Sequence, residues 1–173
     1  MKNIKAKISG VAPLLINKFI ATSGEASRKK KVYVPEDEAE KKAYKNKSGE
    51  YFIPTKNIKA AMIKAGTDFK MSGRKTYKEY IKAGIFFNSE EALLEPKKYI
   101  IHEEPVCIQG AMVLSWRPKF ENWSTEFVMQ VADDMLDIGM LKQILEAAGT
   151  YKGIGSYRPE YGRFKVDSFE EVS

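Results

Sequence analysis

The chain has 173 residues, 43% of them hydrophobic, which suffices for a real core and fits the size of one domain. No run approaches the roughly 20 apolar residues of a membrane span, and the amino terminus alternates Lys with apolar residues where a secretory signal would be continuously apolar, so a cytoplasmic protein is expected. The net charge of +6 is moderate, and a single cysteine, Cys107, with a single histidine, His102, excludes an internal disulfide and any cluster of soft metal ligands; neither a metal nor a cofactor is expected.

Ile4, Ala6 and Ile8 alternate with Lys5 and Lys7, the period of a half-buried strand, and predict a first strand over residues 2–11. Residues 12–51 keep no sustained period and read as a first insertion, with the basic run Arg28, Lys29, Lys30, Lys31 followed closely by Glu36, Asp37, Glu38 and Glu40. Pro54 stands at a helix start, and Ile58, Ala61, Met62 and Ala65 recur at helical spacing until Gly66 ends the first helix. A second insertion spans 67–104, with a short helix suggested by Tyr77, Tyr80 and Ile81. From Lys56 to Lys82 eight basic residues face only Asp68 and Glu79, so this segment carries the whole excess charge of the chain. Residues 106–116 and 125–132 read as two strands joined by RPKFENWS, a hairpin connection. Leu141, Ile144, Leu145 and Ala148 form the stripe of a second helix that starts near Asp137 and stops at Gly149, and residues 161–169 read as the last strand.

Without its insertions the order is strand, helix, strand, strand, helix, strand. That order predicts an α+β fold with a ferredoxin-like (RRM-like) βαββαβ core, as one domain over 1–173 with insertions at about 12–51 and 67–104. Fold alone assigns no function, so particular residues must carry it.

The segment 149–163, GTYKGIGSYRPEYGR, lies between the second helix and the last strand. Its glycines would let backbone amides approach an oxyanion, Lys152, Arg158 and Arg163 supply charge, and Tyr151, Tyr157 and Tyr161 offer faces to bases. The alternative is a tight helix-to-strand connection that needs glycine for positive φ. A dinucleotide fingerprint is set aside, because that motif follows a strand and opens a helix. At the first helix, Lys56 and Asn57 would stand beside the opening amides, which suits a phosphate, with Lys59 one turn on; the same lysines would equally suit a solvated face. Trp116, Arg117, Phe120 and Trp123 could stack bases at the hairpin tip, although such residues more often pack a core. Asp133, Asp134 and Asp137 precede a helix and read as capping and dipole partners, not as a metal site.

Two segments carry a family resemblance. YFIPTKNIKAAMIKAG, residues 51–66, resembles the motif of the RAMP (repeat-associated mysterious protein) superfamily in which an aromatic strand and Ile-Pro lead into a helix with Lys and small residues. GIGSYRPEYGRFKV, residues 153–166, resembles the glycine-rich loop of the same superfamily, running into Gly-Arg and a strand. Together they cover roughly a fifth of the chain. The likeness is to the backbone subunits of CRISPR effector complexes, and it implies binding along RNA; a stand-alone relative carried by a phage or mobile element would suit a chain of this length. The match departs at Thr55, Lys56 and Asn57, where the motif usually has Gly-Ser-Ser, and at Ala60, where it has Gly.

The resulting expectation is non-catalytic binding of single-stranded RNA or DNA in a basic groove. Its lining is expected from Lys56, Asn57, Lys59, Arg74, Lys75, Lys78, Lys82, Trp116, Arg117, Lys152, Gly153, Gly155, Tyr157, Arg158, Tyr161 and Arg163. The alternatives are an assembly subunit, docking an acidic protein partner or a further copy along the nucleic acid, and a RAMP-type endoribonuclease. For the last, the resemblance leaves only His102, and Cys107 five residues along extended chain would be about 16 Å away, too far for a dyad.

Overall fold

The computed structural model describes residues 1–21, 32–132 and 134–173; the basic run 28–31 and Asp133 fall outside them. Alternation makes β1 (Lys2–Gly10), with Ile4, Ala6 and Ile8 fully buried and Lys5 and Lys7 exposed. The two-residue β2 (Leu14–Leu15) follows. α1 (Pro35–Lys42) opens on a proline whose fixed φ suits a first turn, and it carries Glu36, Asp37 and Glu38 at its positive end and Lys41 and Lys42 at its negative end. β3 (Phe52–Pro54) leads straight into α2 (Thr55–Ala65), which buries Ile58, Ala61, Met62 and Ala65 along one stripe. A 3-10 turn at Gly66–Asp68 precedes the small hairpin of β4 (Lys70–Ser72) and β5 (Lys75–Thr76), then α3 (Tyr77–Gly84), β6 (Ile85–Phe87) and β7 (Glu91–Glu95). Two long strands, β8 (Ile100–Ile108) and β9 (Ala111–Phe120), are followed by β10 (Ser124–Val131), α4 (Ile138–Ala147) and β11 (Phe164–Val172).

The main sheet is antiparallel, in the order β11-β1-β10. The outer edge of β10 is shared: β6 pairs with Met129, Gln130 and Val131, while β7 pairs with Ser124 and Thr125 and carries β3 on its own far side. α2 and α4 touch each other, and Leu141, Ile144 and Leu145 of α4 join the core that Ile4, Ile8 and Met129 provide from the sheet. Between exposed side chains, Lys5 Nζ pairs with Glu126 at 2.9 Å. No helix among the described residues is long and apolar enough to cross a membrane.

The expected strand over 106–116 is in fact two. Gln109 and Gly110 both adopt positive φ, 50° and 82°, and turn the chain back on itself, so that β8 and β9 pair from Ile108↔Ala111 to Ile100↔Lys119. Continuous apolar residues, Val106 to Ile108 and Ala111 to Leu114, flank this two-residue turn, and Gln-Gly is not the Asn-Gly or Asp-Gly pair that marks a hairpin most strongly. With β2 the pair forms a separate three-stranded sheet. RPKFENWS is correspondingly not a hairpin tip: β9 runs on to Phe120, and β10 starts at Ser124. Phe120 and Trp123 are core residues, 0% and 2% exposed, and the Trp123 indole donates to the Ala12 carbonyl at 2.9 Å. The last strand begins at Phe164, because residues up to Arg163 belong to the glycine loop.

Within the first insertion, α1 packs against β9 and is fastened by Glu40. Its carboxylate accepts from Tyr51 at 2.8 Å, from Tyr99 at 2.6 Å and from Lys45 at 2.8 Å, while the rings of Tyr51, Tyr99 and Phe120 meet edge to face. Burial pushes the Glu40 carboxyl up, but the bonds from Lys45, Tyr99 and Tyr51 outweigh it and hold the group below its ordinary value. A depressed carboxyl contributes stability that is complete above its unfolded pKa and is lost as pH falls through its folded one. Thermal melts should therefore show stability declining as pH drops below 4.5, the ordinary value for this group, with Glu40→Gln flattening that decline and lowering the melting temperature at pH 7.

Candidate nucleic-acid interface

α4 begins where Asp137 caps it, accepting from the Met140 amide at 2.7 Å, and ends in a π turn at Ala148–Lys152. The glycine loop that follows is sewn down by its own backbone. The Gly153 amide donates to Ala148 at 2.9 Å, Ile154 to Gly162 at 3.0 Å, Ser156 to Leu15 at 2.7 Å and Gly162 to Pro13 at 2.8 Å. Ile154 is fully buried beneath. Gly162 has φ +78°, and a Cβ there would overlap the Ile154 carbonyl; Gly155 has φ +85°, and a Cβ there would stand 2.6 Å from the Leu15 carbonyl oxygen, too close to be accommodated. These four amides are satisfied internally and offer nothing to an oxyanion. The expectation that the glycines cradle a phosphate is corrected on this point: they permit a close-packed helix-to-strand crossing, and the loop's side chains are what face outward.

That crossing places the loop beside the first turn of α2. Gly155, Ser156 and Arg158 share a cavity of about 250 Å³ with Asn57 of α2, Asn17 and Tyr44, over a floor of Ile16 and Ile53. Among the described residues, no acidic side chain lines it. The α2 start has no side-chain cap; the Thr55 amide is taken by the Glu90 carbonyl at 3.0 Å, and the following amides are those that a helix leaves without intrahelical partners. Behind the loop lies Arg117, only 8% exposed. Its Nη1 donates to Ser156 Oγ at 3.3 Å, the guanidinium sits 4.7 Å from the centre of the Tyr157 ring, and its buried Nε has no hydrogen-bond partner. None of the ion pairs among the described residues involves it. Lys42 donates to Ser115 nearby at 2.9 Å; burial pushes its amine down, Glu38 pulls it back up, and the like charge of Arg117 lowers it again. Two basic groups thus stand on this side of β9, Lys42 at Ser115 and Arg117 at Ser156.

The structure brings Asn57, Gly155 and Arg158 to one cavity, with Arg117 and Tyr157 adjoining through Ser156. Lys56 lines a neighbouring cavity. Other expected residues are engaged elsewhere. Lys59 is not a groove residue: its amine donates to the Ile85 carbonyl at 2.6 Å and lies over the Phe86 ring, tying α2 to β6, and burial lowers its pKa. Lys152 pairs with Asp68 at 3.3 Å. Trp116 lies on the face of the β8–β9 hairpin opposite Arg117, and its indole donates to Glu103 at 2.8 Å. The Tyr161 ring meets the edge of His102, 5.6 Å between centres. Gly153 is buried, and Arg163 is exposed, its carbonyl accepting from Val11 and Ala12. Arg74 and Lys75 lie on the β4–β5 hairpin and Lys78 and Lys82 on α3, all exposed, on elements that pack around the Gly66–Asp68 turn at the C-terminal end of α2. Asn17, Tyr44 and Ser156 escaped the sequence reading. The first two lie in a stretch without period, whereas Ser156 stood inside a motif already singled out.

No family model matches the sequence, and no curated protein does. Among solved structures, the chain is similar to one in the cryo-EM structure of the Type III-B Cmr-beta bound to cognate target RNA, with a TM-score of 0.68 and 10% identity over 99% of this chain and 61% of that one. The present chain therefore spans about three fifths of that relative, and the likeness is one of fold.

The packed loop makes a sharp distinction between two glycines of positive φ. Gly73 has φ +57° with nothing within 4 Å of a built Cβ, so Gly73→Ala should cost about 1 kcal/mol in urea unfolding; Gly162→Ala, which adds an overlap with Ile154, should cost about 3 kcal/mol or more. Equal costs would mean that the loop is not closely packed.

Proposed function

We propose that this chain is a RAMP-like protein that binds single-stranded nucleic acid, RNA foremost, without cleaving it. The observation that carries the reading is the acid-free cavity in which Arg158 of the glycine loop and Asn57 of the α2 start face one another, with Arg117 close behind. A phosphate there would meet the positive end of a helix and the exposed Arg158 guanidinium, with the buried Arg117 guanidinium behind Ser156. The fold relative comes from a structure described as bound to target RNA, which supports the same class of ligand. We read the β11-β1-β10-β6 order, with α2 and α4 as the crossing helices, as the ferredoxin-like core, and place the protein in the cytoplasm as one RAMP-like domain. The expected groove shrinks accordingly: Lys59 and Lys152 drop out, and Arg74, Lys75, Lys78 and Lys82 extend it only if the strand follows α2 toward its C-terminal end. Those four exposed cations also favour the second reading, an assembly subunit that docks an acidic partner.

Phosphate contacts make affinity fall with salt. For about five neutralised phosphates, fluorescence anisotropy with a labelled 12-nucleotide RNA should give a slope of log K against log salt near −3.5, at about 0.7 per phosphate. Arg158→Gln should flatten the slope by about 0.7, and Lys59→Met should leave it unchanged. A slope near zero sinks the reading, and copurification of an acidic protein without nucleic acid favours the second. His102 contacts Glu104 at 3.2 Å. Labelled RNA should stay intact with the unaltered protein; cleavage that disappears in His102→Ala would establish the ribonuclease alternative.

A further inference from the structure

The acid-free cavity does not stand alone. Tyr44 is a wall of it and also a wall of a neighbouring cavity of about 420 Å³ on the other side of the α2 start, a volume within the usual range for small-molecule sites. The second cavity has a different chemistry. Tyr44 and Phe52, ring centres 5.6 Å apart and tilted by 44°, give it flat apolar surfaces, Lys18 and Lys56 bring positive charge, and Glu90 and Glu91 bring carboxylates. The two acids are fixed differently, Glu90 by its backbone and Glu91 by its carboxylate as well. Glu90 is tied through its carbonyl to the Thr55 amide, while Glu91 pairs with Pro54 across β3 and β7 and has Oε2 bonded to Asn46 Nδ2 at 3.0 Å.

The geometry points to a base-reading subsite that selects guanine, its phosphate lying in the adjoining cavity against Arg158. This rests on the single-strand binding reading above. An ionised carboxylate is acceptor-only and matches two donors side by side. Guanine offers that pair, N1–H and the 2-amino group, on its Watson–Crick edge. Adenine and cytosine put an acceptor nitrogen next to their amino group, and uracil flanks its one donor with two carbonyls, so each would set lone pairs against the carboxylate. The aromatic walls take the face of the base, as single-stranded recognition commonly does. Lys18 and Lys56 offset Glu90 and Glu91, so the acids do not repel the phosphates that flank the base.

The test uses labelled hexamers of adenosine whose third position is A, G, C or U, titrated into the full chain at one salt concentration. The G-containing hexamer should bind about tenfold tighter than the other three, as one bidentate base contact gives. Glu90→Gln/Glu91→Gln should erase that preference while leaving the affinity for the all-A hexamer as strong or stronger, since negative charge is removed. Equal, salt-dependent binding of all four hexamers overturns the guanine subsite and leaves the single-strand reading intact. If no hexamer binds, both fall. A G preference that survives in the double variant overturns the assignment to these carboxylates. The base series on the unaltered chain decides the matter even if the variant fails to fold.

Discussion

Four backbone hydrogen bonds join the glycine loop to the short segment after β1, and the rest of the site depends on them. Val11 and Ala12 donate to the Arg163 carbonyl, Gly162 donates to Pro13, and Ser156 donates to Leu15. A seam this close tolerates no Cβ at Gly155 or Gly162, and positive φ at both positions reinforces the requirement. Ile154, pinned in the core, fixes its depth. With the loop held there, Ser156 reaches the Arg117 guanidinium on β9, and Arg158 is left beside the start of α2. A looser loop would still connect α4 to β11, but it would not present its side chains to another element.

The legible part of the chain was the part with a regular period. β1 shows its alternation in five residues, and the stripes Ile58, Ala61, Met62, Ala65 and Leu141, Ile144, Leu145 give α2 and α4. The glycine loop is visible in its composition, but the sequence leaves both uses of its glycines open: in isolation, amides that approach an anion look no different from amides that bond a neighbouring strand. What stayed hidden depends on partners distant in sequence. α1 is highly charged and buries only Ala39, so it gives almost no stripe, and it is held by β9 and by tyrosines eleven and fifty-nine residues from Glu40. The β8–β9 hairpin hides because apolar residues run on without a period on both sides of Gln109 and Gly110. Lys59 looked solvated or phosphate-bound because nothing local shows that the Ile85 carbonyl lies above it.

Charge is distributed less simply than the net +6 implies. Several lysines that would count toward a basic surface are neutralised or occupied, Lys5 by Glu126, Lys97 by Glu50, Lys152 by Asp68 and Lys59 by a carbonyl. Such exposed pairs contribute little stability. Their effect is to reduce the general attraction for anions and so to concentrate it where cations lack partners.

Arg117 is one such cation, without an ion pair among the described residues. Removing a guanidinium from water is costly unless hydrogen bonds or an opposite charge compensate, and among the described residues the compensation is one hydroxyl at 3.3 Å, one aromatic face and no carboxylate. Supplying an acid at this position would satisfy the side chain and extinguish its field. Leaving it under-compensated keeps a fixed positive charge just beneath the loop, in a setting less screened by salt than the surface. The exposed Arg158 can adjust to a ligand, whereas Arg117, held by Ser156 and Tyr157, cannot move far. Under the proposed function the buried charge would fix where an anion sits and the exposed one would close on it, while the seam of backbone bonds keeps the two together.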